Sequence, residues 1–289
     1  RLWGSVSCFR GCGKARGKLM SLLLCRREPV KHPFYIEVLG IHIYSSQELC
    51  YVICNHPLLV MDGFVGKALY SFVKNELGMG FVAGRMEKLS ETGSRPEEAL
   101  YLFLTECDYC TEKESQRFRQ TAAAYRSLPA PRYEKAVADY LFGKKQYGRA
   151  SVRYEKLLAE TEEKKEDPAF MGALYQSLGA AYAQMFQFHR AYRAYDKAYG
   201  LDHDREVLKR IYFLSVLAPE LEAADTYGPL FKPEFKGAWE EELRQARTDG
   251  EQAEEVRGLR TLMKRDMPYR MEGAARIVGR WKSEYRKMV

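Results

Sequence analysis

The sequence lacks any long hydrophobic run, and this absence limits what the chain can be. Its most apolar pieces, MSLLL and PLLVM, are far shorter than the roughly 20 apolar residues that a membrane-spanning helix needs. The apolar centre of a secretory signal is also missing from the sequence. The sequence therefore predicts no membrane span, and we expect the protein in the cytoplasm.

Signals of catalysis are equally scarce. The chain has 289 residues but only five histidines, and these are too scattered to suggest a metal site or a catalytic pair. No serine lies in a nucleophile elbow. The glycine-rich stretch GMGFVAG follows a helical pattern, whereas a phosphate-binding loop follows a strand. The sequence therefore predicts a protein that is not an enzyme and that needs no cofactor.

Tyrosine and alanine, by contrast, recur at helical spacing between residues 175 and 199. One apolar face lies before a polar turn around Gln187 and a second lies after it, so the pattern predicts two amphipathic helices. The first face consists of Tyr175, Leu178, Tyr182 and Met185, and the second of Ala191, Tyr195 and Ala198. Two such helices cannot bury both faces alone, so we expect neighbours of the same kind.

This stretch resembles the tetratricopeptide repeat. The family pattern places an aromatic residue, Leu-Gly, Tyr, Ala and a second aromatic residue at fixed intervals. The residues with those intervals here are Tyr175, Leu178, Gly179, Tyr182, Ala191 and Tyr195. In two departures from the pattern, Tyr175 replaces the usual Trp and His203 stands near the place of the usual Pro. The resemblance implies helix hairpins stacked into a short α-solenoid, and the alternative is an isolated amphipathic hairpin.

A second, degenerate copy precedes this one in the stretch ADYLFGKKQYGRASVRYEKLL. Its Ala150 corresponds to Ala191 at an offset of 41 residues, which exceeds the family's usual period of about 34. The surplus falls in AETEEKKEDPAF, a charged stretch that we expect to extend a helix until Pro168 breaks it. Downstream, residues 205–231 predict the first helix of a third copy, whose second half loses the pattern.

These observations divide the chain into parts and predict an all-α fold. Residues 20–128 form a helical head, in which HPFYIEVLGIHIYS alternates as a short β-hairpin or extended arm does near residues 34–45. Residues 131–232 hold the tetratricopeptide-like repeats, and residues 233–289 form capping helices. The head segment GIHIYSSQELCYVI resembles part of uncharacterised tetratricopeptide-repeat proteins of anaerobic Firmicutes, which implies a bacterial protein but no activity.

Residues 1–19 are basic and differ from the rest of the chain. They contain five Lys and Arg residues and no acid, and their glycines disfavour a helix. One interpretation is a disordered basic leader with a targeting role. The interpretation that we favour is a translation artefact, in which Met20 is the natural start and the preceding residues are translated upstream sequence.

Positive charge is concentrated at the two ends of the chain. The formal net charge is +7; residues 1–19 contribute +5 and residues 257–289 contribute +7, so the middle of the chain nets −5. The terminal stretch has the pattern of a basic amphipathic helix pair divided at Pro268. We expect it to cap the last repeat through Trp281. The alternative is electrostatic docking to an acidic protein, nucleic acid or membrane surface.

Four of the seven cysteines form two closely spaced pairs. Cys107 and Cys110 are separated by two residues, and Cys50 and Cys54 by three, so a four-thiolate zinc site is one interpretation. No strand–helix–strand pattern surrounds Cys107, which argues against a thioredoxin-like motif. The interpretation that we favour is that of small, buried, reduced thiols with no bound metal.

The resemblance to tetratricopeptide repeats implies a protein–protein interaction module, or scaffold, that holds a peptide or partner protein in a concave groove. The family binds through the inward face of the first helix of each repeat. Carried onto this sequence, that face consists of Arg132, Lys135, Asp139, Gln176, Ala180, Ala183 and Arg210. Its cations imply an acidic or polar peptide. The asparagines with which chaperone-tail-binding members clamp a terminal carboxylate are missing.

A ligand-sensing transcriptional regulator is the alternative function, because some bacterial regulators carry a DNA-binding head before such repeats. A head that reads DNA is basic. Residues 20–130, however, contain twelve Lys and Arg residues and thirteen Asp and Glu residues. No helix-turn-helix sequence is recognisable in them. We therefore expect a protein or peptide partner and no nucleic-acid partner.

Overall fold

The computed structural model describes residues 28–61, 63–164, 167–221 and 223–289. These residues form 15 α-helices and one two-stranded sheet, so the predicted all-α class is confirmed at the level of secondary structure. The predicted leader, residues 1–19, lies outside the described residues.

The predicted hairpin near residues 34–45 is confirmed. Strands β1 (Phe34–Ile36) and β2 (Ile41–Ile43) pair antiparallel. The turn between them uses Gly40 at a φ of 65°, a left-handed conformation that glycine adopts without strain. Alternation turns Ile36 and Ile43 into the core, where both are buried, so the hairpin is held by one apolar face.

Six helices complete the head. They are α1 (Ser46–Asn55), α2 (Pro57–Met61), α3 (Lys67–Ser71, continued by a π-helical turn at Phe72–Glu76), α4 (Gly80–Glu91), α5 (Pro96–Glu106) and α6 (Glu112–Arg126). Their apolar faces and the hairpin share one core, whose buried members include Leu49, Ile53, Leu69, Met86, Leu100 and Phe103. The head therefore has a core of its own, built from short helices and the β-hairpin.

Local sequence explains where the head helices begin. Ser45 caps α1, because its hydroxyl accepts a hydrogen bond from the Glu48 backbone N–H. Thr111 and Glu114 form the capping box that their spacing predicts at the start of α6. Pro96 occupies the first turn of α5, where its missing N–H costs no hydrogen bond.

Two helix hairpins follow the head. They consist of α7 (Ala130–Gly143) with α8 (Tyr147–Lys164), and of α9 (Pro168–Gln184) with α10 (Phe188–Asp202). Both hairpins close through the same turn, because Lys145 and Phe186 have φ values of 60° and 59°. In both turns the next residue donates its backbone N–H to the carbonyl five residues earlier, from Gln146 to Leu141 and from Gln187 to Tyr182.

Small residues allow the second hairpin to close tightly. A Cβ atom added to Gly179 on α9 would lie 2.6 Å from a ring carbon of Tyr195 on α10, so a glycine is needed there. Ala191 and Ala198 on α10 are fully buried. The tyrosine and alanine periodicity is thus the packing seam of two helices.

The expected third copy is only partly helical. Helix α11 (Arg205–Leu217) is regular and begins at Asp204, whose side chain caps it. The chain then breaks into a 3₁₀ turn (Pro219–Leu221), the short α12 (Ala223–Tyr227) and a second 3₁₀ turn (Gly228–Leu230). This agrees with the loss of pattern in that part of the sequence.

Three helices end the chain: α13 (Pro233–Gln252), α14 (Glu254–Met263) and α15 (Met267–Met288). Pro268 lies in the first turn of α15 and so separates α15 from α14, as predicted. The aromatic residue that packs on α11 is Trp239, whose ring centroid lies 5.6 Å from that of Tyr212, whereas Trp281 is 43% exposed. The expected cap therefore uses a different tryptophan.

The far end of α15 returns to the first hairpin. The Val289 backbone closely approaches Gly148, at the start of α8, and leaves no room there for a Cβ atom. The Tyr285 hydroxyl lies 3.5 Å from the Met185 carbonyl in the turn of the second hairpin. The C-terminal helices thus span both hairpins. Throughout the described ranges, no helix combines the length and the apolar character needed to cross a bilayer.

Two of the glycines of the second hairpin, Gly179 and Gly200, give a matched test of this packing. We expect Gly179→Ala to lower the free energy of unfolding by about 1–3 kcal/mol, because its Cβ would overpack the Tyr195 ring. Gly200→Ala on α10 meets no atom within 4 Å and should raise stability by about 0.5–1 kcal/mol through helix propensity. Urea denaturation followed by helical circular dichroism measures both changes. Equal changes in the free energy of unfolding would contradict the close packing of α9 against α10 at Gly179.

Candidate functional site

A groove lies between the first helices of the two hairpins and is called here the α7–α9 groove. Its volume is about 490 Å³. The lining residues come from the end of the head, from α7 and from the start of α9: Leu128, Arg132, Lys135, Ala136, Asp139, Asp167, Ala169, Phe170 and Ala173. Three of the residues predicted to bind a partner, those on α7, are therefore brought together in one groove.

Small side chains keep the groove open. Ala136 on α7 and Ala169 and Ala173 on α9 all line it without filling it. Helix α9 is fixed at this edge by Pro168 in its first turn and by the Asp167 carboxylate, which accepts a hydrogen bond from the Ala169 backbone N–H at 3.2 Å. The groove wall is thus built on helix ends with defined caps.

One cation of the groove is already paired within the protein. Lys135 Nζ lies 2.8 Å from Asp139 Oδ2, in an i,i+4 pair along α7. The other oxygen of Asp139 accepts a hydrogen bond of 2.6 Å from the Tyr154 hydroxyl on α8. Burial of the phenol, followed by this hydrogen bond, raises the pKa of Tyr154 above its ordinary value. Asp139 therefore links the charged wall of the groove to the buried core.

Arg132 is the cation that is left available to a ligand. Its guanidinium carbon lies 5.5 Å from the centre of the Phe170 ring, so the two side chains form a cation–π pair across the groove. Arg132 is exposed and has no acidic partner among the residues that the structure describes. A stacked guanidinium keeps its N–H donors free for a carboxylate.

The other four predicted residues lie outside the lining of the α7–α9 groove. Gln176 donates a long hydrogen bond of 3.4 Å to Asp204, the cap of α11. The guanidinium carbon of Arg210 lies 5.8 Å from the centre of the Tyr195 ring. Ala180 and Ala183 are half-buried on α9. Gln176 and Arg210 thus make contacts between helices, from α9 to the start of α11 and from α11 to α10.

Sequence analysis missed the contribution of α9 to this groove. Asp167 and Phe170 fall in the stretch AETEEKKEDPAF, which was interpreted as surplus length between two copies. Pro168 was recognised as the point where a helix breaks. The signal that could have indicated their position was the same proline, because a proline in the first turn also marks the start of the next helix.

The four described cysteines gather at one place in the head and form a thiol cluster. Cys50 and Cys54 lie on α1, Cys107 ends α5, and Cys110 lies just before α6. The sulfur atoms of Cys54 and Cys110 are 3.1 Å apart, and Cys50 hydrogen-bonds with Cys107 and Cys110. Cys50 and Cys107 are buried, and the other two are half-buried.

Hydrogen bonding polarises the thiol cluster. The bonds to Cys107 and Cys110 raise the pKa of Cys50 above its ordinary value, and burial adds to this. In contrast, the hydrogen bonds from Cys50 and Cys54 lower the pKa of Cys110, because they stabilise its thiolate. The four-thiolate interpretation of the sequence requires this gathering, whereas the favoured interpretation of small, buried, reduced thiols with no bound metal does not.

No family model, curated protein or solved structure matches the chain. The chemistry of the groove and of the thiol cluster therefore has to follow from their own residues.

The Tyr154–Asp139 hydrogen bond gives a test of how the groove wall is held. We expect Tyr154→Phe to lower the free energy of unfolding by about 1–2 kcal/mol, because a hydrogen bond to a charged group is lost beside the core. Tyr269→Phe is the control, because Tyr269 on α15 is 65% exposed and its hydroxyl forms no hydrogen bond with any described residue. Urea denaturation checks both variants. A loss of stability no larger than that of the control would show that the bond does not anchor Asp139.

Proposed function

We propose that the chain is a non-enzymatic binding module whose two hairpins are tetratricopeptide-like repeats and whose α7–α9 groove holds a peptide segment of a partner protein. The observation on which the proposal rests is Arg132, which is exposed beside Phe170 and forms no ion pair with any described residue. The proposal has two parts, the repeat relation between the hairpins and the chemistry of the groove.

Identical turns support the repeat relation. Lys145 and Phe186 occupy the same left-handed position at the offset of 41 residues that the sequence indicates. At the same offset, Ala150 corresponds to Ala191, and both are fully buried. Two hairpins with the same turn and the same buried positions are what repetition of one supersecondary unit produces.

The chemistry of the groove favours a carboxylate ligand. The guanidinium of Arg132 offers paired N–H donors of the kind that bind a carboxylate through two parallel hydrogen bonds. Phe170 supplies apolar surface beside it, and the small side chains of Ala136 and Ala173 leave space for a peptide backbone. Asp139, in contrast, is satisfied internally by Lys135 and Tyr154. An acidic side chain flanked by apolar residues is the ligand that fits this set.

A displayed library of random peptides, selected on the immobilised protein, tests this proposal. We expect enrichment of peptides that contain Asp or Glu next to an apolar residue. Arg132→Glu should weaken the binding of an enriched peptide about tenfold, since it replaces an attraction by a repulsion, which corresponds to about 1.4 kcal/mol. The difference should shrink at high salt, because exposed charges are screened. Fluorescence anisotropy titrations measure both effects.

Arg247→Glu provides the matched control. Arg247 is exposed on α13, forms no ion pair with any described residue, and does not line the groove. It makes the same change in net charge, and we expect it to leave the affinity unchanged. Reversing Lys135 or Arg210 is less informative, because Lys135 is paired with Asp139 and Arg210 contacts the Tyr195 ring. If Arg132→Glu and Arg247→Glu weaken peptide binding equally, the groove is not the binding surface.

A further inference from the structure

We propose that Cys50, Cys54, Cys107 and Cys110 are the ligands of a structural zinc ion that joins α1 to the turn between α5 and α6. The proposal is independent of the function of the groove. It rests on the convergence of two cysteine pairs that are more than fifty residues apart in the sequence.

The backbone presents both pairs to the same point. Cys50 and Cys54 are one helical turn apart on α1, so their side chains lie on one face. Cys107 and Cys110 bracket a tight turn in which Asp108 has a φ of 52°, a left-handed conformation that folds the chain back on itself. Two thiols from a helix and two from a turn can surround a tetrahedral ion.

The sulfur distances show what binding requires. A zinc ion with sulfur ligands at about 2.3 Å holds neighbouring sulfur atoms about 3.8 Å apart. The sulfur atoms of Cys54 and Cys110 are 3.1 Å apart. Across the described residues, no group of three or more His, Cys, Asp and Glu side chains is already arranged to hold a metal ion. Loading therefore needs the four side chains to rearrange, and this pair in particular to separate by about 0.7 Å.

Zinc accounts for all four thiols, whereas a disulfide accounts for two. A Cys54–Cys110 disulfide would leave Cys50 and Cys107 as hydrogen-bonding groups in the core without a role in the bond. Coordination gives each sulfur one bond to the metal, and the protons that the thiols still carry are released to solvent on binding. Four thiolates around Zn²⁺ leave a net charge of −2 beside the first turn of α6, where the helix dipole favours it and the Glu114 carboxylate opposes it.

Metal analysis of the full chain tests the site. We expect protein purified under reducing conditions from zinc-supplemented cells to contain about one zinc per chain. Elemental mass spectrometry of the same sample also measures iron, the other metal ion that four thiolates bind. Replacement by Co²⁺ should give the intense visible absorption of a tetrahedral thiolate site. Treatment with a strong chelator should lower the melting temperature and make four protected thiols reactive toward a maleimide.

Paired cysteine variants locate the ligands. Cys54→Ser with Cys110→Ser should abolish zinc binding and the cobalt absorption. Cys8→Ser with Cys12→Ser removes the same number of thiols from the part of the chain outside the described residues, and it should retain both. If the first variant fails to fold, peptide mapping of maleimide labelling on the zinc-loaded wild type still identifies the protected cysteines.

Three outcomes overturn the proposal. The first is reduced wild-type protein that takes up neither zinc nor Co²⁺. The second is stoichiometric iron in place of zinc. The third is protection of cysteines other than Cys50, Cys54, Cys107 and Cys110. Peptide mapping can also find a Cys54–Cys110 disulfide. If the reduced form of that protein does not bind zinc, the result belongs to the first outcome and indicates redox chemistry.

Discussion

The close approach of α9 and α10 at Gly179 is the contact on which the second half of the molecule depends. Because glycine has no Cβ, the Tyr195 ring lies directly against the backbone of α9, and the two helices can share buried alanines along their length. This packing fixes the direction of α9 relative to its neighbours. The start of α9 then lies opposite α7, and the space left between them is the α7–α9 groove. A larger residue at Gly179 would shift α9 and with it one wall of the groove. The shape of the groove therefore depends on a helix contact that lies outside the groove.

The sequence predicts best those features that local chemistry determines. The helix hairpin around Gln187, the caps at Ser45 and Thr111, the β-hairpin and the break at Pro168 each depend on residues a few positions apart. Arg132, Lys135 and Asp139, which the resemblance to the tetratricopeptide repeat implies as binding residues, do line one groove. Phe170 was missed as a groove residue, since its position depends on how two hairpins pack. The same limit explains Trp239, whose contact with Tyr212 joins helices that are distant in sequence.

The two candidate sites illustrate different uses of polar groups at the edge of a core. In the groove, the Asp139 carboxylate pairs with Lys135 and accepts a hydrogen bond from the buried Tyr154. Asp139 therefore has its partners within the groove wall, and Arg132 stays exposed. In the thiol cluster, the four cysteine thiols interact mainly with one another, and two of the four are buried. Buried polar groups usually have partners of complementary kind. Mutual satisfaction among like groups is therefore the less common arrangement, and it distinguishes the thiol cluster from the α7–α9 groove.

The return of α15 to α8 has a consequence for the order in which the molecule folds. Each hairpin closes through contacts between neighbours in sequence, which form quickly and can form during synthesis. The contact between Gly148 and Val289 joins residues 141 positions apart, so it can form only after the ribosome has released that last stretch. Until then the start of α8 is uncovered on one side. The α7–α8 hairpin, although it is synthesised well before α15, is thus among the last parts of the molecule to be completed.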